Sequence, residues 1–381
     1  MKEMQFTAMV LTLMMALILT TMLPAEVKED RVANRSRWWM AGALLLLTVQ
    51  FMLQYVLGLR QEGVVQAVML NLICFVPTSM LMSMSVLNLQ QQGHTEQRDW
   101  AVGGVATLCI SGSGTVLSLL LQSSVLHIDT GSLLRIEVAA SIGYAAMQLY
   151  YSLRIGSQLR RMEHALADYY AQEQPALLRW MKVSIAGLLA MALTVPAVIF
   201  VSGWPLAVYG VFFIVAIVYL WFSLVRYIIS EEGHRMKVAA GSEDAMRSAV
   251  ANSVQSPLGG ELSATPGTDA ADQVSTKVAQ WVEQKGFMRH ELTKPQAAEA
   301  MQLSEQQLSE WMKAAGYKSF RQWTNHLRID EAARQLRAHP DFNIGSIADL
   351  CGINRSHFHR LFREHTGTTP GEFQKQDKHN A

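Results

Sequence analysis

Seven long apolar segments fill the first 230 residues and leave this part of the chain few folds to adopt. A helix needs about 20 apolar residues to cross the roughly 30 Å of hydrocarbon in a bilayer. Six segments contain no charged residue, and the other carries Arg135 and Glu137 near its start, where such side chains can reach the interface. The segments are Met4–Leu23, Trp38–Leu59, Val64–Leu89, Trp100–Leu121, Leu133–Leu153, Val183–Gly203 and Pro205–Val225. They predict an all-α, polytopic transmembrane helix bundle of seven spans in the lipid bilayer.

The basic residues of the short loops indicate how this bundle is oriented. Loops on the cytoplasmic side of a membrane are enriched in lysine and arginine. The loops after the first, third, fifth and seventh spans hold Lys28, Arg31, Arg35, Arg37, Arg98, Arg154, Arg160, Arg161, Arg179, Lys182, Arg226, Arg235 and Lys237. The loops on the other side hold only Lys2 and Arg60. The N-terminus is therefore predicted outside and the C-terminus in the cytoplasm. The first span is predicted to be retained, because Leu23-Pro24-Ala25 does not resemble a signal-peptide cleavage site.

The chain lacks the sequence signatures of common enzyme and metal sites. No H-E-x-x-H, P-loop or G-x-S-x-G motif occurs, and no histidine lies within a predicted span. Cys74, Cys109 and Cys351 form no C-x-x-C or Cys/His cluster, so packing is the simplest role for them. We therefore predict that the protein is not an enzyme and holds neither a cofactor nor a metal ion.

Composition changes after the last apolar segment. Residues 231–274 are rich in Ala, Ser, Gly, Asp and Thr and show no apolar period. Such composition is typical of a flexible, disordered linker. Residues 275–381 are dense in charge and are predicted to form a separate domain.

The first helix-turn-helix pattern of this domain begins with a capping box. Thr293-Lys294-Pro295-Gln296 combines that box with a proline in the first turn of the helix. After a short turn, Ser304-Glu305-Gln306-Gln307 opens a second helix, and the spacing of its apolar residues predicts one buried face. The residues predicted to face inward are Leu308, Trp311 and Met312; those predicted to face outward are Glu305, Gln306, Ser309, Glu310 and Lys313. A long helix over Ser319–Arg337 should lead to the second pattern.

The second pattern is sharper and more cationic. Asn343 is the predicted cap of a helix over Ile344–Cys351, Gly352 ends it, and Asn354 caps the next helix. The inward residues of that next helix are Phe358, Leu361 and Phe362, and its outward or lateral residues are Arg355, Ser356, His357, His359, Arg360 and Arg363. A helix with this face fits the major groove, where arginine reads guanine and neutral polar side chains read other base edges.

Residues from about 275 to 376 resemble the C-terminal domain of the AraC/XylS family of bacterial transcription activators. The residues that carry the resemblance are Leu303-Ser304, Leu308, Leu327-Arg328-Ile329-Asp330-Glu331-Ala332, Ile347-Ala348, Gly352, Phe358, Arg360, Phe362-Arg363, Gly367, Thr369-Pro370 and Phe373. The resemblance implies a tandem helix-turn-helix domain whose two recognition helices enter successive major grooves of double-stranded DNA. It also implies contact with RNA polymerase.

The resemblance also suggests which side chains bind DNA. The base-reading candidates are Gln306, Ser309 and Glu310 in the first unit, and Ser356, His357, His359 and Arg360, beside Arg355, in the second. Lys313 and Arg363 are better situated for phosphates. Because Glu305 and Glu310 make the first recognition helix less cationic, we expect the second unit to supply most of the phosphate-based affinity.

A DNA-binding domain joined to a membrane bundle predicts a membrane-integrated, one-component transcription regulator. Its location would be the bacterial cytoplasmic (inner) membrane, with the DNA-binding domain in the cytoplasm. The outer loops are short, so the signal is expected from the lipid phase, a small molecule entering the bundle or a membrane partner. The alternatives are a transporter or a membrane scaffold with a fused DNA-binding domain, and the sequence leaves open whether the protein is a homodimer.

Overall fold

The computed structural model describes residues 2–57, 64–122, 130–171, 179, 181–187, 189–190, 194, 204–229, 268–339 and 341–380. The regular elements within these ranges are helices, with one isolated antiparallel bridge between Tyr170 and Thr293. The fold is therefore all-α, as predicted. It divides into two compact units: the first comprises Met1–Met162 and Pro175–Val238, the second Glu163–Gln174 and Ala239–Ala381.

The helices of the first unit lie between Lys2 and Ile229. They are α1 (Lys2–Leu17), α2 (Ala25–Glu29), α3 (Arg31–Leu57), α4 (Val64–Gln90), α5 (Gln97–Ala106), α6 (Ser113–Gln122), α7 (Thr130–Tyr169) and α8 (Trp204–Ile229). Short π-helical segments follow α1 at Ile18–Met22 and α5 at Thr107–Gly112. The last residues of α7, from Glu163, belong to the second unit.

Among the described residues, five helical segments are long and apolar enough to cross a membrane: Lys2–Met22, Arg31–Leu57, Val68–Gln90, Gln97–Leu121 and Ala207–Ile229. They coincide with the first four predicted spans and the seventh. The predicted span Leu133–Leu153 lies inside α7, and most of the predicted span Val183–Gly203 lies outside the described residues. The count of seven spans therefore stays a prediction.

Helix α3 packs against both α1 and α4 and forms the middle of the first unit. Leu44 and Leu47 of α3 are fully buried, whereas Met14, Leu108 and Phe212 are well exposed. Exposed large apolar side chains on this scale are unusual for a protein surface in water. They suit helices that face lipid.

Buried polar side chains hold these helices together. Gln5 of α1 donates to Gln54 of α3 at 3.3 Å, and Gln50 of α3 donates to Asn71 of α4 at 2.8 Å. Gln54 also donates to Asn71. Such interhelical hydrogen bonds are a common means of helix association in membranes.

Glu137 is buried, with 2% of its surface exposed, and neither carboxylate oxygen has a hydrogen-bond partner among the described residues. The expectation that it reaches the interface is therefore wrong. Arg135, two residues earlier on α7, is exposed and donates to the carbonyl of Gly131 at 3.3 Å. Residues two apart point to different sides of a helix, so the arginine can turn outward while the glutamate turns in.

The second unit contains the remaining helices. They are α9 (Thr268–Glu283), α10 (Lys294–Ala300), α11 (Glu305–Ala314), α12 (Phe320–Ala338), α13 (Ile344–Leu350), α14 (Arg355–Thr366) and α15 (Pro370–Asn380), with a 3-10 turn at Gly286–Met288. Helix α9 begins inside the predicted linker, and residues 231–267 of that linker lie outside the described residues.

Two hydrophobic cores lie among the described residues of the second unit. The first joins α9, α10, α11 and the start of α12, around Trp281, Phe287 and Trp323. The second joins the later part of α12 to α13 and α14, around Phe358 and Phe362. Each helix-turn-helix therefore has a core of its own, and α12 contributes to both.

Candidate nucleic-acid interface

The first helix-turn-helix is formed by α10 and α11, and both predicted capping boxes are confirmed. The hydroxyl of Thr293 accepts from the N–H of Gln296 at 3.4 Å, and the side chain of Gln296 accepts from the N–H of Thr293 at 3.2 Å. Ser304 and Gln307 make the same pair of bonds at 3.1 and 2.9 Å. These bonds satisfy N–H groups that a helix start leaves without partners and fix where α11 begins.

The outward face of α11 differs from the prediction at Ser309, and Glu305 is only partly exposed. Gln306, Glu310 and Lys313 are exposed, and the amide of Gln306 donates to Glu310 at 2.9 Å. Ser309 is buried at 7% exposure, and its hydroxyl donates to the carbonyl of Glu305 at 2.6 Å. The prediction that Ser309 faces outward is therefore wrong. It follows buried Leu308 directly and lies at the edge of the packed face, where its hydroxyl is satisfied by its own helix.

The second helix-turn-helix is formed by α13 and α14. Asn343 caps α13 by accepting from the N–H of Gly345 at 2.7 Å, and Asn354 caps α14 by accepting from that of Ser356 at 3.1 Å. Gly352 lies in the turn with φ +71°, and a Cβ there would come within 2.7 Å of the carbonyl of Met288. Only glycine suits both constraints.

Helix α14 presents the predicted cationic face. Phe358 and Phe362 are buried as predicted. The predicted outward residues that are exposed are Arg355, Ser356, His359, Arg360 and Arg363, and His357 is partly buried.

Two arginines of this face hold intramolecular carboxylates. Nε of Arg355 donates to Asp349 of α13 at 2.8 Å, and Arg360 pairs with Glu364 of its own helix at 3.0 Å. The hydrogen bond from Arg355, with its charge, holds the pKa of Asp349 below its ordinary value. Exposed ion pairs of this kind are weak. Both arginines are therefore available to phosphate or guanine at little cost.

Residues 297–376 match a family model described as a helix-turn-helix domain. The C-terminal domain is an AraC-type helix-turn-helix domain. The chain is also similar to the uncharacterized HTH-type transcriptional regulator YijO of Escherichia coli (strain K12), with 31% identity over 86 residues. That match covers 22% of this chain and 30% of the length of YijO. No solved structure matches the chain.

A buried arginine connects the two helix-turn-helix parts of the AraC-type domain. Arg328 of α12 is 1% exposed and donates to the carbonyls of Phe287 at 2.8 Å and Arg289 at 2.9 Å. Burial lowers the pKa of Arg328 to about 10, and its guanidinium stays charged at neutral pH. These bonds tie the turn before α10 to the middle of α12. The sequence pattern singled out Arg328 only through the family resemblance, and no local signal indicated that it is buried.

Glu331 forms a second buried polar centre of the AraC-type domain. It accepts from Lys285 at 2.6 Å and from Gln335 at 2.7 Å, and Arg334 lies 2.8 Å away. Burial alone would raise the pKa of Glu331, but these hydrogen bonds and charges outweigh burial and lower it. Together Arg328 and Glu331 fix α12, and α12 orients both helix-turn-helix units.

Proposed function

We propose that the protein is a membrane-integrated transcription regulator that couples a signal in or at the membrane to sequence-specific promoter binding. The observation that carries this proposal is the cationic face of α14 in an AraC-type domain, on a chain whose described residues include five helices of membrane-spanning length. DNA recognition uses such a helix in the major groove, with arginine to guanine as its commonest specific contact.

The proposed DNA-binding side chains lie on α14 and α11. On α14, Ser356, His357, His359 and Arg360 read base edges, and Arg355 and Arg363 contribute beside them. On α11, Gln306 and Glu310 read bases and Lys313 binds phosphate; Ser309 is the weakest candidate because it is buried. RNA polymerase would be the partner on the promoter, and a homodimer would bind paired half-sites.

The basic loops and the DNA-binding domain support a cytoplasmic C-terminus in the bacterial inner membrane. The signal would act by shifting the bundle between two arrangements that differ in affinity for it. A small molecule in the bundle, a lipid or a membrane partner are the candidate signals.

Genome-wide DNA occupancy of the full-length protein in its host tests this proposal. We expect discrete peaks that disappear in an Arg355→Ala/Arg360→Ala variant. A matched control, Arg289→Ala/Lys318→Ala, removes two positive charges from exposed positions outside both recognition helices and should keep the peaks. Peaks that are absent, or that survive the recognition-helix variant, would contradict promoter recognition by α14.

Proton transport is the second candidate, and buried Glu137 supports it. An ionisable residue inside a membrane segment is costly and commonly marks an ion or proton pathway. Proteoliposomes that contain a pH-sensitive dye would measure the flux. A flux that Glu137→Gln abolishes and Glu3→Gln, at an exposed carboxylate of α1, leaves intact would favour this function.

A further inference from the structure

A short segment at the end of α7 is built into the first helix-turn-helix unit. This segment, Glu163–Ala171, follows the predicted span Leu133–Leu153 and belongs to the same compact unit as the AraC-type domain. Ala171 is 1% exposed within the core of that domain, and its N–H donates to the carbonyl of Leu292 at 3.0 Å. We call Glu163–Ala171 the strap.

The strap carries the counter-ion of a buried lysine. Lys294 is 3% exposed, and its ammonium lies 2.7 Å from the carboxylate of Asp168. The other oxygen of Asp168 accepts from the backbone N–H of Phe320 at 3.3 Å. A buried ammonium requires a paired charge, so Asp168 is what permits Lys294 to be buried here.

The AraC-type domain also forms hydrogen bonds with the backbone of the strap. The guanidinium of Arg321 donates to the carbonyl of Leu166 at 3.1 Å and to that of Tyr170 at 3.3 Å. Tyr170 forms the antiparallel bridge with Thr293. These contacts join residues that are more than 120 positions apart in the chain, so they form an interface and not a local turn.

The strap interacts with residues at the starts of both helices of the first helix-turn-helix. In a helix-turn-helix, the first helix crosses the phosphate backbone and the start of the second faces base edges. Asp168 pairs with Lys294 at the start of α10. Tyr169 lies near Glu305 at the start of α11, and burial first, then the charge of Glu305, raises the pKa of the Tyr169 phenol. The carboxylate of Asp168 pairs with the ammonium of Lys294, so it would compete with a phosphate for the same ammonium.

We propose that the strap is an intramolecular brake on the first helix-turn-helix. Docked, it neutralises Lys294 and covers the edge of α10 and α11; released, it exposes both to DNA. Because the strap continues a helix that carries a predicted span, a shift of that helix changes the register of Asp168 against Lys294. This inference rests on the proposed DNA-binding function and names the point at which the signal acts.

Releasing the strap tests the brake. Full-length protein in lipid nanodiscs is titrated with a fluorescent duplex of mixed sequence, about two helical turns long, over a range of salt concentrations. We expect Asp168→Asn to bind more tightly than the wild type, with a steeper dependence of log affinity on log salt, by about 0.9 for one added phosphate contact. Glu299→Gln removes the same charge from an exposed position of α10 and should leave the slope unchanged.

Two results of this titration would overturn the brake. An affinity and slope equal to those of the wild type would mean that DNA does not compete with the strap. Weaker binding with a lower unfolding temperature would mean that the strap is only structural support. If the Arg355→Ala/Arg360→Ala variant binds this duplex as tightly as the wild type and also keeps its genomic peaks, the proposed DNA-binding function fails as well.

Locking the strap is the complementary experiment. Residues that face each other across an antiparallel bridge have Cα atoms roughly 4.5–5.5 Å apart, which suits a disulfide. We expect Tyr170→Cys/Thr293→Cys to bind DNA several-fold more weakly when oxidised than when reduced. The single substitutions Tyr170→Cys and Thr293→Cys should bind DNA equally well in both states. Equal affinity in both states would show that DNA and the docked strap coexist, and the brake would be wrong.

Discussion

The guanidinium of Arg355 donates to the carboxylate of Asp349 at 2.8 Å, so the first residue of the second recognition helix is tied to the helix before it. Both side chains are exposed, and exposed pairs contribute little to stability. We expect Asp349→Asn to leave the unfolding temperature almost unchanged and to strengthen DNA binding, because Arg355 becomes free for phosphate. Fluorescence titration of the full-length protein measures the affinity. A loss of affinity would instead show that Asp349 holds Arg355 in its DNA-binding orientation.

Arg360 should contribute more to specific binding than any residue of the first recognition helix. On a duplex taken from a genomic occupancy peak, we expect Arg360→Ala to weaken the binding free energy by roughly 1–3 kcal/mol. Glu310→Ala should weaken it by less. Arg289→Ala, at an exposed position outside both recognition helices, is the charge control. Equal losses for Arg360 and Glu310 would mean that both units read DNA to the same extent.

Gly352 and Gly367 both have positive φ angles, +71° and +80°, but only Gly352 lies against neighbouring backbone. Gly367→Ala should lower the free energy of unfolding by about 1–2 kcal/mol, because an L-residue in the left-handed conformation carries that penalty. Gly352→Ala should cost more, because its Cβ would also meet the carbonyl of Met288 at 2.7 Å. Hydrogen exchange of the α13 and α14 amides in the full-length protein measures the difference. Equal costs would show that the loop around Met288 moves aside freely.

Local signals in the sequence predicted most of the DNA-binding domain. The capping boxes at Thr293 and Ser304 and the asparagine caps at Asn343 and Asn354 depend on residues three or fewer positions apart, and all four are present in the structure. The apolar spacing likewise placed Phe358 in the core. Such short-range patterns can be recognised in a single sequence because the hydrogen bonds and packing that they describe are local.

Contacts between distant parts of the chain could not be predicted in this way. Nothing near Asp168 in the sequence indicates a lysine partner at position 294, since their pairing depends on tertiary packing. Arg328 lies between Leu327 and Ile329 in the sequence, and its burial depends on the distant carbonyls of Phe287 and Arg289. Ser309 was misjudged because the packed face of α11 is wider than its apolar stripe.

The predicted topology can be measured directly at Lys237, just after the last predicted span. A reporter that is active only in the cytoplasm should be active when fused there, since the basic loops indicate a cytoplasmic C-terminus. A fusion after Arg60, in a loop predicted to lie outside, serves as the opposite control. Activity of a periplasm-specific reporter at Lys237 would contradict both the orientation and a role in promoter binding.

Glu331 should make the stability of the DNA-binding domain dependent on acid pH. Its pKa in the folded protein is lowered, so the carboxylate stabilises the fold above the ordinary glutamate pKa of about 4.3 and loses that effect as pH falls through the lower folded value. We therefore expect Glu331→Gln to be less stable than the wild type at neutral pH, with a difference that shrinks below about pH 4. Hydrogen exchange of the α12 amides between neutral and acid pH measures this. Glu299→Gln, at an exposed carboxylate, should show no such convergence, and a wild-type advantage that persists unchanged into acid would contradict the role of the charge.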